Sequence, residues 1–133
     1  MTNVLSILIV DDQPRTRQSL KALLAAEFPL IRVLEAENGV IAINRVEEWL
    51  PDIVLLDVRM PELDGDAAAM QIRKREKISG AKETPIIALT ANAFESDRKY
   101  CLEIGMNGYL SKPYTIGVLT DELSRYAAPQ LVS

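Results

Sequence analysis

Four places in the sequence put a chemically useful side chain directly behind a short apolar run. Asp11 and Asp12 follow ILIV, Asp57 follows IVLL, Thr90 follows IIAL, and Lys112 follows GYLS. If those runs are neighbouring parallel strands, their ends share one edge and three carboxylates converge there. Two carboxylates about 5 Å apart repel by roughly 3 kcal/mol at an effective dielectric of about 20. Such a cluster calls for a cation or a proton. A hard divalent ion with oxygen ligands answers that need, and Mg²⁺ suits a site with few carboxylates and room for water and phosphate. Lys112 adds a point charge suited to a phosphoryl oxygen. Phosphoryl transfer asks for little beyond positioning and charge neutralisation, and a carboxylate can itself take the group as nucleophile. Asp57, central among the three, is the candidate acceptor. Each piece alone is ordinary: an Asp-Asp pair after a strand is commonly a helix cap with a solvated neighbour, and a lone Thr or Lys at a strand end means little. The argument for function is that each piece ends its own buried strand, in order.

The elements that must hold these groups are legible as five apolar runs alternating with five segments of helical character. The runs are Leu5 to Val10, Ile31 to Ala36, Ile53 to Leu56, Ile86 to Leu89 and Tyr109 to Leu110. The first, third and fourth lack polar alternation, as expected of strands buried on both faces. Pro14 suits the first turn of a helix reaching about Ala26, with Leu20, Leu23 and Leu24 on one side. Asn38 can cap a second helix carrying Val40, Ile41, Ile43, Val46, Trp49 and Leu50, which Pro51 closes. Further helices are expected from near Asp64, from near Glu95, and after Thr115, an N-cap candidate. Lys77 to Thr84 reads as a loop before Pro85. Right-handed crossovers between such units give an α/β, doubly wound, five-stranded parallel sheet whose ligand site lies at the carboxyl ends of the strands.

Composition narrows the function classes. The 133 residues suffice for a single domain, 1–133, with a proper core, and any output module is expected to be absent or carried by another chain. A net charge of -4 argues against a nucleic-acid footprint, which needs clustered Lys and Arg. The basic cluster Arg73, Lys74, Arg75 and Lys77 is interrupted by Glu76 and reads as a solvated helix end. With no histidine, imidazole-based triads, His-ligated zinc and an internal phosphohistidine are excluded from this chain. The one cysteine, Cys101, cannot form an internal disulfide and reads as packing or surface; Trp49 reads as a core edge. MTNVLSILIV has no basic segment ahead of its apolar run and no run approaches bilayer length, so no signal peptide or membrane contact is expected, and the cytoplasm is the expected location.

The motifs ILIVDD, IVLLDVRMPELDG, PIIALTANA and GMNGYLSKP, in that order and spacing, resemble the receiver domain of two-component response regulators. The resemblance runs from about Leu5 to Tyr126. It implies a flavodoxin-like (βα)5 fold with strand order 2-1-3-4-5. It also implies that Asp57 accepts a phosphoryl group from the phosphohistidine of a histidine kinase or histidine phosphotransfer protein, in a Mg²⁺-dependent transfer and later loss that the chain itself catalyses. By the same resemblance Asp12 ligates the ion directly and Asp11 through water, with Asp57 and the main-chain carbonyl of Arg59 completing the set. Lys112 binds a phosphoryl oxygen, and the Lys112-Pro113 peptide is expected to be cis. Thr90 swings toward the phosphoryl group as Tyr109 turns inward, remodelling the face of the fourth helix, fifth strand and fifth helix where a downstream protein binds. Arg59 and Asn92, two residues beyond Asp57 and Thr90, stand where they can modulate the phosphorylated lifetime. ALTANAF and GMNGYLSKP look most like receivers of hybrid kinases and phosphorelays.

Two other readings share parts of this pattern. A phosphohydrolase of the haloacid dehalogenase type also uses a strand-end aspartyl nucleophile, but needs a second acid where Arg59 stands. A pseudo-receiver would keep the fold as a phosphorylation-independent interaction module, against which the full set Asp11, Asp12, Asp57, Thr90 and Lys112 argues.

Overall fold

The computed structural model describes residues 5–28, 30–58, 65–90 and 95–131, with side chains described for all of these except 95–97 and 127–131. Five strands alternate with five helices: β1 (Leu5–Val10), α1 (Pro14–Glu27), β2 (Ile31–Ala36), α2 (Gly39–Trp49), β3 (Ile53–Asp57), α3 (Gly65–Ser79), β4 (Ile86–Thr90), α4 (Glu95–Glu103), β5 (Gly108–Ser111) and α5 (Ile116–Leu131). The strands are all parallel, in the order β2-β1-β3-β4-β5. This is the doubly wound, flavodoxin-like arrangement expected from the sequence.

The apolar strands explain why the sheet is covered on both sides. Successive residues of a strand face opposite ways. Val54 and Leu56 therefore enter the core beneath α2, α3 and α4, while Ile53 and Leu55 enter the core beneath α1 and α5. Polar alternation is absent from β3 because both of its faces are inside. Each such side chain removed from water contributes about 1.5–3 kcal/mol. Cys101 packs in the first of these cores, and Trp49 lines its edge with the Arg45 guanidinium 4.3 Å above its ring.

Helix ends follow the local chemistry. Pro14 occupies the first turn of α1, whose Leu20 and Leu24 are buried; Leu23, expected beside them, is 43% exposed and sits outside that stripe. The Asn38 side chain accepts from the Ile41 N–H at 2.9 Å and opens α2. Leu50 closes it in the left-handed region, at φ 46°. α3 runs on to Ser79 before Gly80 ends it at φ 75°, so the polar stretch from Lys77 is helical at its start rather than a loop throughout. Polarity misled there because an exposed helical end and a loop share a composition; the turn residue Gly80 is the real boundary. Thr115 caps α5, accepting from the Val118 N–H at 3.2 Å. Among the described residues no helix is long and apolar enough to cross a membrane.

The reading of Arg73 as part of a solvated helix end is overturned. Its side chain is only 13% exposed, donates to the Gly105 carbonyl at 2.8 Å and the Asn107 Oδ1 at 2.6 Å, and pairs with Glu76 at 2.7 Å. Lys74, Arg75 and Lys77 remain exposed.

Candidate functional site

β1 and β3 are hydrogen-bonded neighbours in register, Val10 beside Leu56, so the residues that follow them arrive together at the carboxyl edge. Asp11 leaves β1 with its N–H on the Ala36 carbonyl at 3.1 Å, which continues the β1–β2 ladder by one residue. It is 1% exposed, and Asp57, the last residue of β3, is 7% exposed. Asp12, half-buried, completes the group: carboxylate oxygens of Asp11, Asp12 and Asp57 all lie within 4.8 Å of one another. The three carboxylates singled out in the sequence therefore converge.

Lys112, one residue past β5, reaches this cluster from the far side. Its Nζ lies 3.8 Å from Asp11 Oδ2 and 3.8 Å from Asp57 Oδ2, a distance of attraction rather than of a hydrogen bond. The strand that delivers it is tied to β4, where the Lys112 N–H donates to the Thr90 carbonyl at 2.7 Å. The Lys112-Pro113 peptide is cis, as the resemblance implied. Thr90 ends β4 and is buried, and Tyr109 lies opposite Ala88 in the β4–β5 ladder. Residues two apart on a strand share a face. Thr90 and Tyr109 are thus on the side of the sheet covered by α3 and α4, with Tyr109 half-buried against that core. Arg59 and Asn92 lie outside the described residues, and so do the Asp64 helix start and the PELD segment.

The electrostatics of the cluster are unbalanced. Asp11 Oδ1 accepts from the Gln13 N–H at 2.8 Å, but Asp11 Oδ2 is buried with no hydrogen bond among the described residues. Burial raises the Asp11 pKa above its ordinary value; the Gln13 bond opposes this, and the negative charge of Asp57 adds to the rise. A buried carboxylate oxygen that meets only a distant ammonium is the kind of donor a cation would satisfy, and the all-oxygen, acid-rich set fits a hard divalent ion such as Mg²⁺.

Three further residues belong to this corner and were not read from the sequence. Tyr114, following Pro113, packs against the α1–α5 core, and its phenol pKa is raised by burial and then by the charges of Asp11 and Asp57. Arg17, from the first turns of α1, donates to the Asp11 carbonyl at 2.6 Å and pairs with Glu35 of β2 at 3.1 Å, fixing the acidic turn from behind. Gly65 opens α3 so close to β3 that a Cβ there would stand 2.5 Å from the Asp57 carbonyl oxygen and 2.6 Å from Val58 Cα. Only the Asp-Gly step that ends IVLLDVRMPELDG hinted at Gly65; Tyr114 and Arg17 carry no local signal, because their roles come from the packing of separate elements.

Comparison with known proteins agrees with this geometry. The family model for the response regulator receiver domain matches residues 7–124. The sensor histidine kinase RcsC of Salmonella typhimurium is 38% identical over 121 residues, which are 91% of this chain but 12% of RcsC. The chain thus spans about an eighth of that relative. Among solved structures, the receiver domain of the sensor histidine kinase PA1611 from Pseudomonas aeruginosa, with a magnesium ion coordinated in its active-site cleft, is 38% identical with a TM-score of 0.80, covering 93% of this chain and 98% of that one. The receiver domain of Ssk1 from Saccharomyces cerevisiae, in complex with the histidine phosphotransfer protein Ypd1, matches at a TM-score of 0.88 and 29% identity, covering 99% of this chain and 94% of that one.

Proposed function

The chain belongs to the response regulator receiver domain family, and from that premise we propose that Asp57 accepts a phosphoryl group from a partner phosphohistidine and thereby switches a binding surface. The observation that carries the proposal is the convergence of Asp11, Asp12 and Asp57 within 4.8 Å, with the Lys112 ammonium 3.8 Å from two of them. A carboxylate oxygen of Asp57 forms the new bond to phosphorus as the bond from phosphorus to the imidazole nitrogen breaks, and the nitrogen keeps the electron pair and takes up a proton. Lys112 is placed to hold a phosphoryl oxygen. Asp11 and Asp12, with Asp57 and the Arg59 carbonyl, would hold Mg²⁺, which neutralises charge on the transferring group. The donor histidine must lie outside these 133 residues, which contain none. A histidine phosphotransfer protein or histidine kinase fits, as Ssk1 pairs with Ypd1 in the matching complex.

The phosphoryl group adds nearly two negative charges and three acceptor oxygens at a buried edge, and favours any conformer that aims a donor at it. Thr90 and Tyr109 share one side of adjacent strands, which supports a coupled movement: Thr90 toward the phosphoryl group and Tyr109 inward, altering the α4–β5–α5 face for a downstream protein. Arg59 and Asn92 would tune the lifetime of the acyl phosphate; replacing Arg59 by Ala and following dephosphorylation tests this, and an unchanged rate removes it. The chain works in the cytoplasm as a switch, without contacting nucleic acid or membrane itself.

Intact-mass measurement after incubation with Mg²⁺ and a small phosphodonor tests the main proposal. The expected result is one added phosphoryl group in the wild type and none in Asp57→Asn or without Mg²⁺. Turnover of phosphodonor without accumulation would support the phosphohydrolase reading, and no reaction at all the pseudo-receiver.

A further inference from the structure

Arg17 makes two kinds of contact at the start of α1. Its main-chain N–H donates to the Gln13 carbonyl at 3.1 Å, closing the first helical turn, and its side chain reaches back past that turn to donate to the Asp11 carbonyl at 2.6 Å. The side chain is only 15% exposed, and its Nε donates to Glu35 Oε1 at 3.1 Å, so β2 holds the guanidinium in this pose. Lys21 stands 3.8 Å from the other Glu35 oxygen. The carbonyl that Arg17 grips belongs to the peptide joining Asp11 to Asp12. A peptide is planar, so an oxygen held in place also places the nitrogen and α-carbon of the next residue. The hydrogen bond to Asp11 therefore orients Asp12.

Of the three acids, Asp12 is the one that needs such help. Asp11 is tied by its N–H to the Ala36 carbonyl at 3.1 Å and by its Oδ1 to the Gln13 N–H at 2.8 Å. Asp57 is still inside the β3–β4 ladder, opposite Leu89. Asp12 lies beyond its ladder, and among the described residues its carboxylate meets only the Gln13 side-chain amide, at 3.4 Å. We infer that Arg17, held by Glu35, is a positioning residue for the divalent ion of the acidic site. By orienting the Asp11-Asp12 peptide it keeps the Asp12 carboxylate within 4.8 Å of the other two. The inference rests on the reading of that cluster as a Mg²⁺ site. Among the described residues Arg17 pairs with none of the three carboxylates, so it acts on them through the main chain. Groups that hold a metal ligand from behind commonly set affinity by about 10- to 100-fold. Charge alone predicts the opposite sign, because a guanidinium near a cation repels it and its removal would tighten binding.

Calorimetric titration of the full chain with Mg²⁺, with no phosphodonor present, tests the inference. Arg17→Met keeps a long apolar stem and a good helix former but removes both donors, and its Mg²⁺ dissociation constant should rise by about 10-fold or more. Glu35→Ala leaves α1 untouched and should weaken binding by a smaller factor. In the Arg17→Met chain the same Glu35→Ala change should add nothing, because Glu35 acts through Arg17. Urea denaturation of the same variants separates position from stability. A lower midpoint with an unmoved dissociation constant makes Arg17 a residue of the fold alone and overturns the inference, and so does tighter Mg²⁺ binding by Arg17→Met. A full further loss from Glu35→Ala in the Arg17→Met chain also overturns it, since Glu35 would then act on the ion through its charge. A wild type that takes up no Mg²⁺ overturns the reading of the site and this inference with it. Chains that show the expected ratio of Mg²⁺ affinities but gain no phosphate support the role of Arg17 while overturning the phosphorylation reading.

Discussion

The two edges of the sheet treat buried charge in opposite ways. At the carboxyl edge, Asp11 and Asp57 are nearly inaccessible, lie beside Asp12, and share one ammonium at 3.8 Å, while Asp11 Oδ2 accepts no hydrogen bond among the described residues. At the amino edge of β4 and β5, charge is matched group by group. Arg73 engages Glu76, Gly105 and Asn107; Glu76 Oε2 accepts from the Thr84 N–H at 2.8 Å; Asn107 Oδ1 also accepts from Ile86 N–H; and the Tyr126 hydroxyl, 2.8 Å from the Asn107 carbonyl, donates to it and sits 3.2 Å from Glu122. Buried ionic groups hold a fold together only when their remaining hydrogen-bonding capacity is met. The amino edge meets that condition and acts as a clasp joining α3, β4, β5 and α5. The carboxyl edge fails it, and under the proposed function that failure is what would leave affinity for a cation and a phosphoryl group. One edge is charge spent on structure, the other charge held in reserve for ligands.

That contrast predicts which substitutions harm the fold and which harm the reaction. Arg73→Ala should show the largest stability effect, since it takes the arginine from the half-buried Glu76 and Asn107 and from the Gly105 carbonyl. Breaking a buried pair from one side costs about 3–5 kcal/mol, which urea denaturation would read as a large drop in midpoint. The folded fraction should still take up phosphate in Mg²⁺, because the clasp does not touch the aspartates; a variant of wild-type stability would mean that the amino edge is not the clasp described. Gly65→Ala should invert the pattern. A Cβ at 2.5 Å from the Asp57 carbonyl oxygen must push α3 or the end of β3 aside. Displacing a reacting group by a fraction of an ångström to one ångström can cost up to about 100-fold in rate. A roughly 10- to 100-fold slower phosphorylation of Asp57 is expected, about 1.4–2.7 kcal/mol of barrier, measured as the rate of mass gain from a small phosphodonor.

The two edges also differ in how far the sequence discloses them. The aspartates were legible because each ends a buried apolar run, and period-2 burial with parallel pairing is enough to bring such ends together. The alternation of strands and helices was legible in the same way, whereas the strand order 2-1-3-4-5 came from the resemblance to receiver domains. The clasp was illegible for the complementary reason: Arg73 sits among Lys74, Arg75 and Lys77, and nothing local distinguishes the arginine that turns inward from neighbours that face water. Its partners Gly105 and Asn107 are 32 and 34 residues away and are ordinary loop residues in type. Tyr114 and Arg17 escaped notice likewise, being placed against the acidic turn by packing of α1, β5 and α5 rather than by spacing. The end of α3 was misjudged because polarity cannot separate an exposed helical turn from a loop, whereas Gly80 could have.

Asp11→Asn sharpens the contrast with a smaller effect of opposite sign. The Asp11 pKa is raised in the folded chain, chiefly by burial and further by Asp57, so over the pH interval above its ordinary value of 3.8 the unfolded chain loses this proton first. The native state then binds more protons than the unfolded one, and this group's contribution to stability falls as pH rises through the folded pKa. Above that value the native state carries the full cost of the buried charge. Asn removes the charge and keeps an oxygen to accept from the Gln13 N–H. Without divalent ion at neutral pH the variant should therefore be more stable, read as a higher Tm, with the advantage shrinking toward about pH 4. Added Mg²⁺ should reverse the order. An ion that binds only the folded wild type stabilises it by about 2.7 kcal/mol at roughly a hundred times its dissociation constant, and the variant, short of one carboxylate, should gain much less. A variant less stable than the wild type in the absence of Mg²⁺ would show that Asp11 is held in place by structure rather than kept at a cost for its ligand.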